Sequence, residues 1–117
     1  LTPGPITAMF IGSIGAVIMY FGTKMLESYG LDDVVGAIPV HMFAGIFGTL
    51  VVPLTNSDTT FGTQFIGTAS VCLFSFGLSW ITFTILKSTI GLRISKAAEK
   101  LGTDKAEVGV TAYSIRD

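Results

Sequence analysis

Charge is scarce in this chain. Only 13% of its 117 residues are charged, against roughly a quarter in an ordinary soluble domain. The deficit is local as well as global: residues 1–86 hold only Lys24, Glu27, Asp32, Asp33 and Asp58. Cysteine is reduced to Cys72 and histidine to His41. One cysteine makes no intrachain disulfide, and one histidine without clustered carboxylates assembles neither a metal set nor a catalytic triad. We therefore expect no enzyme, no cofactor and no metal site. Lysine and arginine form no basic patch interleaved with aromatics, which excludes a nucleic-acid partner. The apolar stretches lack the alternation of barrel strands, and no phosphate-cradling glycine loop follows a strand. A basic leader is also missing; Leu1 is no start methionine, and the opening TPGP reads as the interior of a longer protein.

What is present is long and apolar. Residues 1–23, 34–57 and 59–86 are free of formal charge, and each meets the requirement of roughly 20 apolar residues for a membrane-spanning helix. Backbone groups in hydrocarbon must satisfy one another, so helices are the expected solution. The reading is an all-α membrane protein in contact with a lipid bilayer. Its helices fall at about residues 5–25, 36–53 and 61–88, giving a transmembrane region 1–90 and a tail 91–117. Thr2 can cap the first helix, with Pro3 and Pro5 in or near its first turn. Small residues recur at helical spacing: Ala8, Gly12, Gly15, Ala16 and Gly22 in the first span, Ala44, Gly45 and Gly48 in the second, Thr63, Gly67, Ser70 and Gly77 in the third. Such stripes let membrane helices pack closely. Asp32 and Asp33 are placed to cap the second helix.

Orientation follows from the positive residues. The loop at 55–62 has none, whereas the tail has Arg93, Lys96, Lys100, Lys105 and Arg116, with Lys87 at its edge. Positive charge favours the cytoplasmic side, so the spans run inward, outward and inward, and the tail is cytoplasmic. Within the tail, Ser95 to Leu101 followed by Gly102 reads as a short capped helix with a glycine stop. Asp104 and Glu107 resemble a capping pair for a second turn.

His41 stands out because an ionisable group at bilayer depth is costly and is a functional-site hypothesis by default. The plainer alternative is an imidazole that hydrogen-bonds a neighbouring helix. Pro39 suggests that the regular helix starts or restarts nearby, placing His41 in a first turn. Desolvation and the helix dipole would then both favour the neutral ring, which offers one donor and one acceptor.

The segment LDDVVGAIPVHMFAGIFGTL, residues 31–50, resembles the tenth-helix region of the ammonium transporter (Amt/Mep/Rh) family, with its DD…VHxxxGxxGT pattern. The preceding glycine-rich helix and the following GLRIS, residues 91–95, fall where that family has its ninth helix and cytoplasmic tail. The resemblance implies the C-terminal part of an eleven-helix protein that assembles as a homotrimer in the cell (inner or plasma) membrane and conducts ammonium or ammonia. His41 then matches the second of two pore histidines that relay a proton; the first would come from the remainder of the transporter chain. Ala44, Gly45 and Gly48 would pack near the pore. Gly102, Asp104, Gly109 and Tyr113 match a regulatory tail that in many members answers to a PII-type protein. Two departures stand out: Met42 and Phe43 follow the histidine where a small glycine is usual, and Val108 and Val110 replace polar tail residues. The competing function is an ammonium sensor of the same fold, linked to a signalling domain beyond the tail. A small membrane protein that self-assembles through its glycine faces is a third reading, disfavoured by the absent start methionine.

Overall fold

The computed structural model describes residues 3–112. Thr2, Tyr113 and Arg116 lie outside the described residues. Among the described residues every regular element is a helix and none is a strand, and three helical segments are long and apolar enough to cross a membrane: Pro5–Ser28, Ala37–Leu54 and Phe61–Thr89. The chain divides into two compact units, Leu1–Ser75 and Phe76–Asp117.

In the first unit, α1 (Pro5–Ser28) starts with proline in its opening turn and Gly4 at the N-cap, where no side chain bonds the backbone. Proline costs nothing there because the first amides have no intrahelical partner. The helix runs about one turn past its expected end near Met25. Its stop is chemical rather than hydropathic: Gly30 adopts φ +68°. The Gly30 amide donates to the Glu27 carbonyl and the Leu31 amide to that of Leu26, both at 3.0 Å. This paired arrangement closes the helix end.

The second span is not one regular helix. A π-helical turn (Ala37–Phe43) leads into α2 (Ala44–Leu50), and a 3₁₀ turn (Val52–Leu54) ends it at Pro53. It packs antiparallel on α1. Gly22 and Leu26 are buried, as is Pro39, and Gly15 approaches Ala44 higher up. Of the expected stripe, Gly22 makes the closest approach. The space beside Gly12, Gly15, Ala44 and Gly48 is a groove of about 360 Å³. Gly45 is exposed and faces open space.

α3 (Phe61–Thr89) begins with a reciprocal cap in which the Thr63 amide donates to Thr60 Oγ1 and the Thr60 amide to Thr63 Oγ1, at 3.2 and 3.1 Å. That is the capping-box logic with threonine at both positions. The helix is apolar on all sides and buries none of its residues. In the second unit, α4 (Lys96–Leu101) is capped by Ser95, whose hydroxyl accepts from the Ala98 amide at 3.2 Å, and stops at Gly102. Arg93 binds Glu99 through both Nε and Nη2.

The Gly22 contact yields a direct test. A Cβ at Gly22 would stand 2.8 Å from Phe43 Cδ2 and 3.1 Å from Pro39 Cβ, and the proline ring is fixed to the backbone of the π-helical turn. Gly22→Ala should destabilise the complete protein by about 1–3 kcal/mol, the usual cost of overpacking, read as a lower Tm in detergent. Gly12→Ala, with open space beside it, should leave Tm nearly unchanged.

Candidate functional site around His41

His41 is held by the way its segment begins. Four backbone donors at a helix start have no intrahelical partner, and in an apolar medium each must be satisfied. Here all four are accounted for. The Asp33 carboxylate accepts from the Ala37 amide at 2.8 Å through Oδ1 and from the Ile38 amide at 2.7 Å through Oδ2. Position 39 is proline and has no donor, the Gly36 amide donates to the Asp33 carbonyl at 3.1 Å, and the first intrahelical bond follows, from the Val40 amide to the Gly36 carbonyl at 2.9 Å. Gly36 makes this geometry possible with φ +70°, a conformation that a β-branched residue would resist. Asp33 thus does the capping; Asp32 makes no such bond among the described residues.

The helix therefore starts at Ala37, and His41 lies beyond the first turn rather than in it. The Ala44 amide bonds the Pro39 carbonyl, five residues back, which is π-helical spacing. π-turns mark insertions that re-aim side chains and are frequent at functional sites. Pro39 and Phe43, four residues apart, share the face turned to α1 at Gly22. His41, midway between them, belongs to the opposite face. Its side chain is exposed, and among the described residues its ring has no hydrogen-bond partner. No set of three or more metal-ligating side chains converges among the described residues. Met42 is exposed while Phe43 is half-buried against α1, so the two bulky residues after the histidine serve different surroundings.

The sequence comparison bears on this segment and on nearly all of the rest. The family model described as Ammonium Transporter Family matches residues 2–113. This chain belongs to the ammonium transporter family. It is 36% identical over 129 aligned positions to the ammonium transporter Amt2 of Archaeoglobus fulgidus, with 93% of this chain and 28% of that protein covered. Against Amt2 of Methanocaldococcus jannaschii the identity is 33% over 117 positions, covering 93% of this chain and 28% of the relative. Against the ammonium transporter of Corynebacterium glutamicum it is 31% over 127 positions, covering 95% and 28%. The chain thus spans little more than a quarter of the length of these relatives. Family membership and three apolar helices make it part of an integral membrane protein.

Of the tail residues singled out for this family, Gly102, Asp104 and Gly109 occupy a compact turn. Asp104 opens a π-helical turn (Asp104–Val108) whose N-cap is Thr103, and no side chain caps it. The expected capping pair of Asp104 with Glu107 does not form. Asp104 lies inside the turn, so its carboxylate reaches forward instead and accepts from the Ala112 amide at 2.8 Å. Gly109, at φ +75°, and Gly102, at φ +95°, are the stops on either side. The Ala112 amide foremost, then the Lys105 amide, holds the Asp104 carboxyl below the usual carboxylate range.

Because the folded value is depressed, this contact stabilises the tail turn fully above the ordinary carboxylate pKa of about 3.9 and is lost as pH falls through the lowered value. Asp104→Asn should accelerate hydrogen exchange of the Ala112 amide at neutral pH. The wild-type tail should approach the variant's exchange behaviour, corrected for intrinsic rate, only in the acid range.

Proposed function

We propose that this chain supplies three membrane helices and a cytoplasmic tail to a protein that conducts ammonium or ammonia, with His41 on the conduction path. The family match over residues 2–113 carries the reading, since the relatives it shares are named as ammonium transporters. The physical support is the placement of His41, the lone ionisable side chain between Val34 and Leu54. A neutral imidazole there can accept a proton or hydrogen bond from ammonium and donate in turn, while a fixed cation would repel the guest. Hydrocarbon around the path makes bare metal ions costly. The remainder of the chain provides the rest of the path. Assembly as a homotrimer and control of the tail, at Gly102, Asp104 and Gly109, by a PII-type protein complete the proposal.

His41→Ala in the complete protein should lower ammonium-driven current or relax discrimination against potassium, with trimer yield retained. His41→Arg should abolish current by fixing a charge where the ring was. A correctly assembled His41→Ala protein with normal current and selectivity would refute the pore role. A purely structural histidine instead predicts failed assembly and unchanged selectivity in whatever assembles.

The topology belongs to the same proposal. Residues 55–62 carry no lysine or arginine, and Arg93, Lys96, Lys100 and Lys105 crowd the tail, so the tail faces the cytoplasm of the cell membrane. Single cysteines introduced in Cys72→Ser protein at Asp58 and Lys100 should react with an impermeant maleimide from outside and inside, respectively. Labelling of position 100 in intact cells would reverse the assignment.

A further inference from the structure

His41 is carried on a turn that holds one residue more than an α-helical turn, because the Ala44 amide bonds the Pro39 carbonyl five residues back. Such turns are rare, and a rare conformation persists where its surroundings over-determine it. Here the surroundings are two seats on α1. Pro39 is fully buried against Gly22, where an added Cβ would stand 3.1 Å from Pro39 Cβ, and Ala44 Cβ lies 3.9 Å from the corresponding point at Gly15. Gly15 and Gly22, two helical turns apart, share one face of α1.

These two seats are incompatible with an α-turn. At about 100° per residue an α-helix would set Ala44 about 140° round from Pro39, so only one of them could face α1. A bond five residues back makes those residues little more than one turn, which brings both to α1 and leaves His41 between them on the far side. If Pro39 lost its seat while Ala44 kept its own, closing to α-helical spacing would bring His41 to within about 60° of the direction of α1. The seat at Gly22 is the tighter one. Carbon atoms pack at about 3.5–4.0 Å, so a side chain there displaces Pro39, whose ring is bonded to its own backbone nitrogen and has no rotamer to retreat into.

We propose that Gly22 is a positioning residue for His41: it seats Pro39, keeps the turn π-helical and so aims the imidazole away from α1. This role rests on the reading of His41 as a residue of the conduction path.

The test uses the complete protein, purified in its assembled form and imaged by cryo-electron microscopy. Gly22→Ala crowds the seat; Pro39→Ala empties it and serves where the first variant fails to assemble. In each, the Ala44 amide should move to the Val40 carbonyl, and His41 should swing by about 100° toward α1. Ammonium-over-potassium discrimination, read as current ratios on the same preparations, should fall roughly tenfold or more, as for a working group misplaced by about an ångström or more. Gly12→Ala, beside open space, should change neither. Wild-type spacing at Ala44 and an unmoved His41 in the assembled variants would overturn the proposal. So would a swung His41 with discrimination intact where His41→Ala loses it. Discrimination that survives His41→Ala as well removes the pore reading instead, and the maps still decide whether Gly22 holds the turn.

Discussion

The second span depends on the settlement of its first four backbone donors. In water an open helix end costs little, because solvent supplies the missing partners. In an apolar medium each unpaired amide costs several kcal/mol, so the start of this helix has to be built from the chain itself. Asp33 takes two amides on its carboxylate and the Gly36 amide on its carbonyl, and Pro39 removes the fourth donor. The same three residues set the direction in which the helix leaves. Pro39 is then buried beside Gly22, and the π-helical spacing between Pro39 and Ala44 places His41 on the face turned away from α1.

Close packing between α1 and the second span explains why glycine is spent unevenly. At Gly22 the absent side chain is filled by Phe43 and Pro39; at Gly15 the neighbour is only the Ala44 methyl group at van der Waals distance. Farther up, Gly12 and Gly48 border open space. A stripe of small residues is therefore one surface with two conditions, locked at one end and open at the other. Membrane helices lack a hydrophobic drive to associate, so dispersion contacts at the locked end carry much of the pairing.

Much of this was legible in the sequence because the membrane imposes simple rules. Three charge-free stretches predict three spans, and the structure has helices at Pro5–Ser28, Ala37–Leu54 and Phe61–Thr89. Composition could not locate helix ends with the same ease. α1 outlasts its apolar run because Gly30, not the first charge, terminates it. His41 was conspicuous in the sequence as the lone ionisable residue of its span, but the geometry around it was not. Asp33 four positions before Ala37, with Gly36 between, is the signal for a capped and sharply entered helix; the pattern alone did not say which aspartate caps. The π-turn left no sequence trace beyond Pro39. Asp104 was misassigned as a cap because spacing to Glu107 says nothing of the chain reversal at Gly109, which brings the Ala112 amide to its carboxylate.

Carboxylates do opposite work from the histidine in this chain, and the difference follows from solvation. Asp33 and Asp104 each accept backbone amides, one at the mouth of a span and one in the tail, where a full negative charge is matched by aligned N–H dipoles. Both are charges that organise backbone, and both lie outside the apolar helices. His41 lies within such a segment and makes no bond that the backbone needs. Among the described residues both of its ring nitrogens are without a hydrogen-bond partner, in contrast to the oxygens of the two carboxylates.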